Sequence, residues 1–217
     1  AGKYIRRKIC EAIPDLNICG DAKSSRDEVR DRCHVSENED VSKLTERQLV
    51  EVRKKIGYVF QNGALFDSLS VEENLAYPLR EHTKLSEAQI HEKVEAMLEL
   101  IDMKGSNTLL PSALSGGMQK RAGLARAIIL EPQVILFDEP TAGLDPVNTH
   151  RLLSNIKKLK ERGITGIFVT HDIPAAIEIA DRIAILNKGQ IAIIDTVEKI
   201  KSSTDPLVKS FLTGEHV

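Results

Sequence analysis

The sequence predicts an α/β fold with a short, buried sheet covered by helices, and three stretches carry that prediction. Val134-Ile-Leu-Phe137 is a run of four apolar residues that reads as a fully buried strand, and it ends in Asp138 and Glu139. Gly166-Ile-Phe-Val-Thr170 reads as a second buried strand and ends at His171. Ahead of the first strand, Ala122, Ala125, Ile128 and Ile129 recur at helical spacing behind Ser115-Gly116-Gly117, so a helix opens there and turns one apolar face to a core. Open α/β sheets bind ligands at the C-terminal ends of their strands, which makes Asp138, Glu139 and His171 candidate site residues.

The bulk numbers narrow the classes. A chain of 217 residues buries one substantial core or two small lobes. Thirty Lys plus Arg against thirty-two Asp plus Glu give a formal net charge of -2, so no broad basic field argues for nucleic acid, and phosphate recognition has to be local. Cys10, Cys19 and Cys33 form no CxxC and cannot all pair, which points to reduced thiols in a cytosol-like compartment. Cys33-His34 has no neighbouring ligands at metal-site spacing. No apolar run approaches the roughly 20 residues that span a bilayer, and no signal-peptide pattern opens the chain, so a membrane role has to come through a partner.

In chain order, Ile5, Ile9 and Ile13 mark a short amphipathic helix stopped by Pro14, and Arg26–Arg32 reads as a solvated helix face. Leu49, Val52 and Ile56 indicate a helix running into a strand, Ile56–Phe60, that stops at Gln61. Ser70 or Asp67 caps the next helix. Leu65, Phe66, Leu69, Tyr77 and Pro78 read mainly as core packing. Leu85–Met103 forms an amphipathic helix with Met97 and Met103 inward, while His82 and His91 face solvent. Arg121 and Arg126 read as partners in structural ion pairs. Thr141–Pro146 is a turn, Leu152, Ile156 and Leu159 mark a surface helix broken at Gly163, and Ala175–Ala180 is helical. Arg182–Ile194 is a hairpin turning at Asn187-Lys-Gly189, and Leu207–Leu212 closes the chain as an amphipathic helix.

The chemistry follows from the residue types. A helix start presents free amides and a partial positive charge to an anion, and Gly116 and Gly117 let a phosphate oxygen approach where a Cβ would block it. The plainer alternative for Ser115 is an ordinary helix cap. Two carboxylates at a strand end hold metal and polarise water, and a nearby histidine orients that water.

Leu114-Ser-Gly-Gly-Met118, Ile135-Leu-Phe-Asp-Glu-Pro-Thr-Ala-Gly-Leu-Asp-Pro146 and Val169-Thr-His-Asp172 resemble, in this order, the signature motif, Walker B with D-loop, and switch histidine of ATP-binding-cassette (ABC) ATPases. The resemblance implies an α/β P-loop NTPase with a RecA-like core at 41–67 and 134–217 and a helical lobe at 68–133 carrying the signature. Residues 1–40 then form an atypical N-terminal segment. It also implies ATP and Mg²⁺: Asp138 and Gln61 toward the metal, Glu139 toward the attacking water, and His171 and Gln61 toward the γ-phosphate. Ser115, Gly116, Gly117 and Asp145 would face nucleotide across a head-to-tail dimer. The implied partners are a second ATPase subunit and transmembrane permease subunits, whose coupling helix would meet the helical lobe, at the cytoplasmic face of the cell membrane.

The family's glycine-rich Walker A loop, G-x-x-x-x-G-K-[ST], has no match here. Asn17–Ser25 keeps Lys23 and Ser24 but has Asn17 and Ala22 where glycines belong, and in Gly2-Lys3-Tyr4 a tyrosine replaces the hydroxyl residue. Two expectations follow: a chain lacking the true N-terminal strands and loop, which the complete set of later catalytic positions favours, or a catalytically degenerate regulatory subunit. Within the family, Phe60–Phe66, Ala76–Thr83, Met118 and Asp205–Phe211 look like the Mla-type ATPases of lipid-asymmetry and toluene-tolerance systems, which implies phospholipid as cargo.

Overall fold

The computed structural model describes residues 44–214. The two N-terminal helical readings, the three cysteines, Gly2-Lys3-Tyr4 and the Asn17–Ser25 string lie outside them. Contacts divide the described chain into a larger unit, Arg53–Ile179, and a smaller one formed by 44–52 with 180–214.

The larger unit is built on three parallel strands in the order β1 (Ile56–Val59), β2 (Val134–Asp138), β3 (Thr165–Val169). Val59 pairs with Phe137 and Asp138 with Val169, so the three strands finish at one edge. Parallel neighbours need long crossovers. The first runs through α2 (Val71–His82), α3 (Glu87–Leu100) and α4 (Gly116–Ile128), and the second through α5 (Pro146–Glu161). The short α6 (Ile173–Ile179) follows β3.

Local chemistry sets the helix starts. Ser70 and Glu73 form a reciprocal capping box on α2, and Ser86 and Gln89 another on α3. Buried Asn74 folds the turn before α2: its amide nitrogen donates to the carbonyls of Phe66, Leu69 and Ser70, and its oxygen accepts from the Phe66 amide at 2.8 Å. The expected 85–103 helix stops at Leu100, since Asp102 turns into the left-handed region (φ 56°) and carries Met103 back to a buried position.

Two apolar clusters fill the unit. Val71, Leu75, Leu79, Ile90, Val94, Leu98 and Ile129 form one among the helices; Val59, Ile135, Phe137, Leu152, Ile156 and Leu159 form the other between sheet and α5. Helix α4 joins them, giving Ala122 and Ala125 to the first and Leu124 and Ile128 to the second. A single apolar face was the expectation; an element lodged between two cores is buried almost all round instead.

The strands also differ from their reading as fully buried. Ile135 and Phe137 are buried, but Val134, Leu136 and Asp138 alternate with them as half-buried residues. Thr165 and Gly166 are exposed, at the start of a strand that, like β1, has one neighbour among the described residues. Side chains alternate across a pleat, so the α5 side takes Phe137 and the other side takes Tyr58, Leu136 and Asp138.

In the smaller unit, β4 (Arg182–Asn187) and β5 (Gln190–Thr196) pair antiparallel. Lys188 and Gly189 both have positive φ, 46° and 76°, the requirement of a two-residue hairpin turn. Ile185 of this hairpin packs with Ile200 of α7 (Val197–Lys201) and Val208 of α8 (Pro206–Thr213). A further helix, Glu46–Lys54, precedes β1.

Gly57 marks where β1 and α4 touch: a Cβ there would lie 2.7 Å from the Ala127 carbonyl oxygen and 3.1 Å from the Pro132 ring. Both neighbours are stiff, so Gly57→Ala is expected to lower the free energy of unfolding by about 1–3 kcal/mol, read from denaturant melts. An unchanged midpoint would show that the strand and helix are not in this contact.

Candidate active site

The common edge of the parallel strands brings together what the sequence had scattered. Past β1 the chain turns at exposed Gln61; past β2 come half-buried Asp138 and Glu139; past β3 comes exposed His171. Asp138 lies on the pleat side of Tyr58, whose hydroxyl donates to its Oδ2 at 3.1 Å. Glu139 continues the ladder with its amide bonded to the Val169 carbonyl at 2.9 Å, and then its backbone enters the left-handed region at φ 47°. For a glutamate that conformation costs about 1–3 kcal/mol. It is accompanied by three contacts on β3's extension: Glu139 Oε1 accepts from the His171 amide at 3.1 Å and lies 2.9 Å from His171 Nδ1, while Oε2 accepts from the Thr170 hydroxyl at 3.1 Å.

This contact holds His171 protonated to higher pH. The hydrogen bond and charge of Glu139 raise its pKa above the ordinary 6.5. The imidazole remains 80% exposed and open to an incoming group.

Sequence reasoning missed four supporting groups. Thr170 holds Glu139 and also accepts from the Asp172 amide at 3.0 Å, and the Thr141 hydroxyl donates to Asp172 Oδ2 at 3.1 Å. Tyr58 orients Asp138 as described. Lys120, buried in α4, donates through Nζ to the carbonyls of Pro140 (2.9 Å) and Ala142. The two threonine hydroxyls stood inside the quoted motifs and were a usable signal. Lys120 stood next to Arg121 in a helix and carried none.

Ser115 is the N-cap of α4, extended at φ -65° and ψ 159°, with Oγ accepting from the Met118 amide at 3.3 Å. Ser115 and Gly116 are exposed at the helix start, whereas Gly117 is buried and a Cβ on it would meet the Asn148 side chain at 2.6 Å. Asp145 caps α5: its carboxylate accepts from the Asn148 amide at 3.0 Å and side chain at 2.6 Å, which keeps its pKa below the usual range. Asp145 therefore sits one hydrogen bond from the residue that packs on the signature turn.

Among the described residues the two arginines make no ion pair, contrary to expectation. Arg121 Nη1 donates to Asn148 Oδ1 at 3.4 Å. Arg126 Nη2 donates to the Ala64 carbonyl at 2.7 Å, and its guanidinium lies 5.1 Å from the Phe66 ring centroid. Gly63 (φ 73°) and Ala64 (φ 49°) bring those carbonyls round, and a Cβ on Gly63 would strike the Gln119 carbonyl at 2.7 Å. The loop after Gln61 is thus pinned to α4. Phe66 and Tyr77, expected mainly as core, stack edge to face with centroids 5.3 Å apart and are each 45% exposed.

A sequence-family profile described as ABC transporter matches residues 17–142. The chain belongs to the ABC transporter family. Among curated relatives it is 44% identical over 180 residues to the intermembrane phospholipid transport system ATP-binding protein MlaF of Haemophilus influenzae, covering 82% of this chain and 68% of that one. It is 41% identical to MlaF of Escherichia coli K12, covering 82% and 66%. It is 39% identical to the probable ribonucleotide transport ATP-binding protein mkl of Mycobacterium leprae, covering 82% and 52%. The chain spans about two thirds of the length of the MlaF proteins. The ABC ATP-binding cassette fold expected from the motifs is also that of a solved relative, the dimeric post-hydrolysis state of the cassette MJ0796 bound to ADP and Pi, with TM-score 0.67, 31% identity, and 74% and 71% coverage. Among the described residues no helix of this ABC-family chain is long and apolar enough to cross a membrane.

The Glu139–His171 contact has a titration consequence. A raised folded-state pKa means the pair adds to stability fully below the unfolded pKa, and loses that addition as pH rises through the raised value. An NMR titration of His171 should give a midpoint above 6.5 that drops toward it in Glu139→Gln. A midpoint at or below 6.5 in the unsubstituted chain would contradict the contact.

Proposed function

We propose that this chain is the ATP-binding and ATP-hydrolysing subunit of a transporter that energises movement of phospholipid, or a related lipid, across the bacterial envelope. The observation that carries the ATPase reading is the convergence of Gln61, Asp138, Glu139 and His171 on one edge of three adjacent parallel strands, with Glu139 and His171 2.9 Å apart. The lipid cargo is supported by the intermembrane phospholipid transport for which the MlaF relatives are named.

Phosphoryl transfer to water is mainly a problem of placement and charge neutralisation. Glu139 aligns the attacking water and takes its proton as the water oxygen bonds to phosphorus and ADP leaves, and Thr170 and His171 keep its carboxylate in place. The protonated His171 meets the γ-phosphate with a positive charge, and the Gln61 amide, on the exposed turn past β1, reports whether that phosphate is present. Asp138, half-buried at the end of β2, fits Mg²⁺, an ion that usually takes one or two protein carboxylates and fills its shell with water and phosphate oxygens. With Gln61, Asp138 would hold the ion, which neutralises phosphate charge when bound.

The exposed α4 start fits a phosphate supplied by a second subunit, so that Ser115, Gly116 and Gly117 close over nucleotide on a head-to-tail partner, with Asp145 beside that junction. The dimeric state of the solved MJ0796 relative supports this arrangement. The exposed Phe66–Tyr77 pair, backed by Arg126, fits a short helix of a transmembrane permease subunit, which would hold the ATPase peripherally at the cytoplasmic face of the inner membrane.

Glu139→Gln tests the assignment, because the amide keeps the shape and gives up the base. ATP-driven dimerisation, read by sizing with light scattering, should persist while phosphate release falls by about 100-fold or more. Unaltered turnover would remove Glu139 from the role; absence of nucleotide binding in the unsubstituted chain would favour the regulatory subunit or a chain defective in nucleotide binding for want of a Walker A loop.

A further inference from the structure

Lys120 is 7% exposed and lies on the signature helix, yet the motif chemistry above gives it nothing to do. Its ammonium does not meet a carboxylate. It donates to two backbone carbonyls, Pro140 at 2.9 Å and Ala142, on the turn that separates Glu139 from Asp145. The turn's other bonds are the Thr141 hydroxyl to Asp172 Oδ2 at 3.1 Å, the Ala142 amide to the Glu139 carbonyl at 3.2 Å and the Leu144 amide to the Thr141 carbonyl at 3.1 Å. A cation on two carbonyls makes charge-assisted bonds stronger than either of the two amide–carbonyl ones. The next residue, buried Arg121, donates to Asn148, and Gly117, about one turn earlier in the helix, packs against the Asn148 side chain so closely that a Cβ would overlap it. Asn148 in turn binds the Asp145 carboxylate. The segment running from Pro140 to Asn148 is therefore fastened to α4 at both ends, by Lys120 near Glu139 and by Arg121 and Gly117 near Asp145.

We propose that Lys120 is a positioning residue for ATP hydrolysis, holding the Pro140–Ala142 turn so that Glu139 and the signature helix of the same subunit move as one body. The proposal rests on the ATPase reading above. A γ-phosphate drawn to Ser115 and Gly116 displaces α4, and Lys120 transmits that displacement to the backbone directly after Glu139, without touching substrate. Burial lowers the Lys120 pKa below the ordinary lysine value, and the nearby charge of Glu139 opposes that by favouring the ammonium.

Lys120→Met keeps the length and removes all three donors; Lys120→Gln retains one amide donor group and provides the second reading should the methionine variant fail to fold. Hydrogen exchange on the chain and turnover with Mg-ATP are measured together. The expected result is local: the Ala142 and Leu144 amides exchange about tenfold faster, while Ile135 and Phe137 in the central strand keep their protection. Turnover falls about tenfold to a hundredfold in kcat with KM for ATP unchanged, the glutamine variant lying between. Two results overturn the proposal: unchanged exchange at the turn, or a uniform loss of protection across the larger unit with kcat and KM moving together, the mark of a lysine that only fills the core. If the unsubstituted chain shows no turnover, the ATPase reading fails, and the exchange measurement still decides whether Lys120 holds the turn.

Discussion

Everything at the candidate site depends on the in-register pairing of three short parallel strands. Because Val59 faces Phe137 and Asp138 faces Val169, the segments that follow each strand emerge side by side. A slip of one residue in β2 would exchange its pleat sides, sending Asp138 toward α5 and Phe137 away from its cluster. The apolar contact of Phe137 with Phe168, ring centroids 5.7 Å apart, and the burial of Ile135 hold that register from the α5 side. The hydrophobic pattern of β2 thereby sets the direction of its one metal-capable carboxylate.

Beyond the strand ends, order is supplied by backbone carbonyls and hydroxyls more than by opposite charges. Arg126 binds the loop after Gln61 through a carbonyl and an aromatic face, and Lys120 binds the turn after Glu139 through two carbonyls. Burial explains this preference. A cation removed from water requires several acceptors in fixed positions, and turns that reverse at Gly63, Ala64 and Glu139 expose their carbonyls in that way. Helix α4 thus acts as a common frame for both loops, with an exposed phosphate-capable start at Ser115 and its body wedged between two apolar clusters.

Much of this was legible in the chain. Strand ends at Asp138 and near Gln61 and His171, the caps at Ser70 and Ser115, and the hairpin turn at Lys188-Gly189 follow from apolar runs, capping chemistry and turn residues that act over a few positions. The misreadings share one origin. Ile128 and Ala125 have the spacing of one helix face but enter different cores, and Phe66 and Tyr77 are aromatic residues left half in solvent. Periodicity reports that a residue is apolar and does not report what it meets.

Sequence by itself determined the α/β class and the family, and it singled out the side chains proposed for phosphate and water chemistry, since those depend on residue type and on order along the chain. Only tertiary structure decided that Glu139 bends back to Thr170 and His171, that Arg121 and Arg126 forgo acidic partners, and that Lys120 secures the turn beside Glu139. Each of those joins groups 20 or more positions apart, Lys120 with Pro140 being the nearest pair. At that separation no local rule relates two residues, and the packing of the helices on the sheet selects the partner.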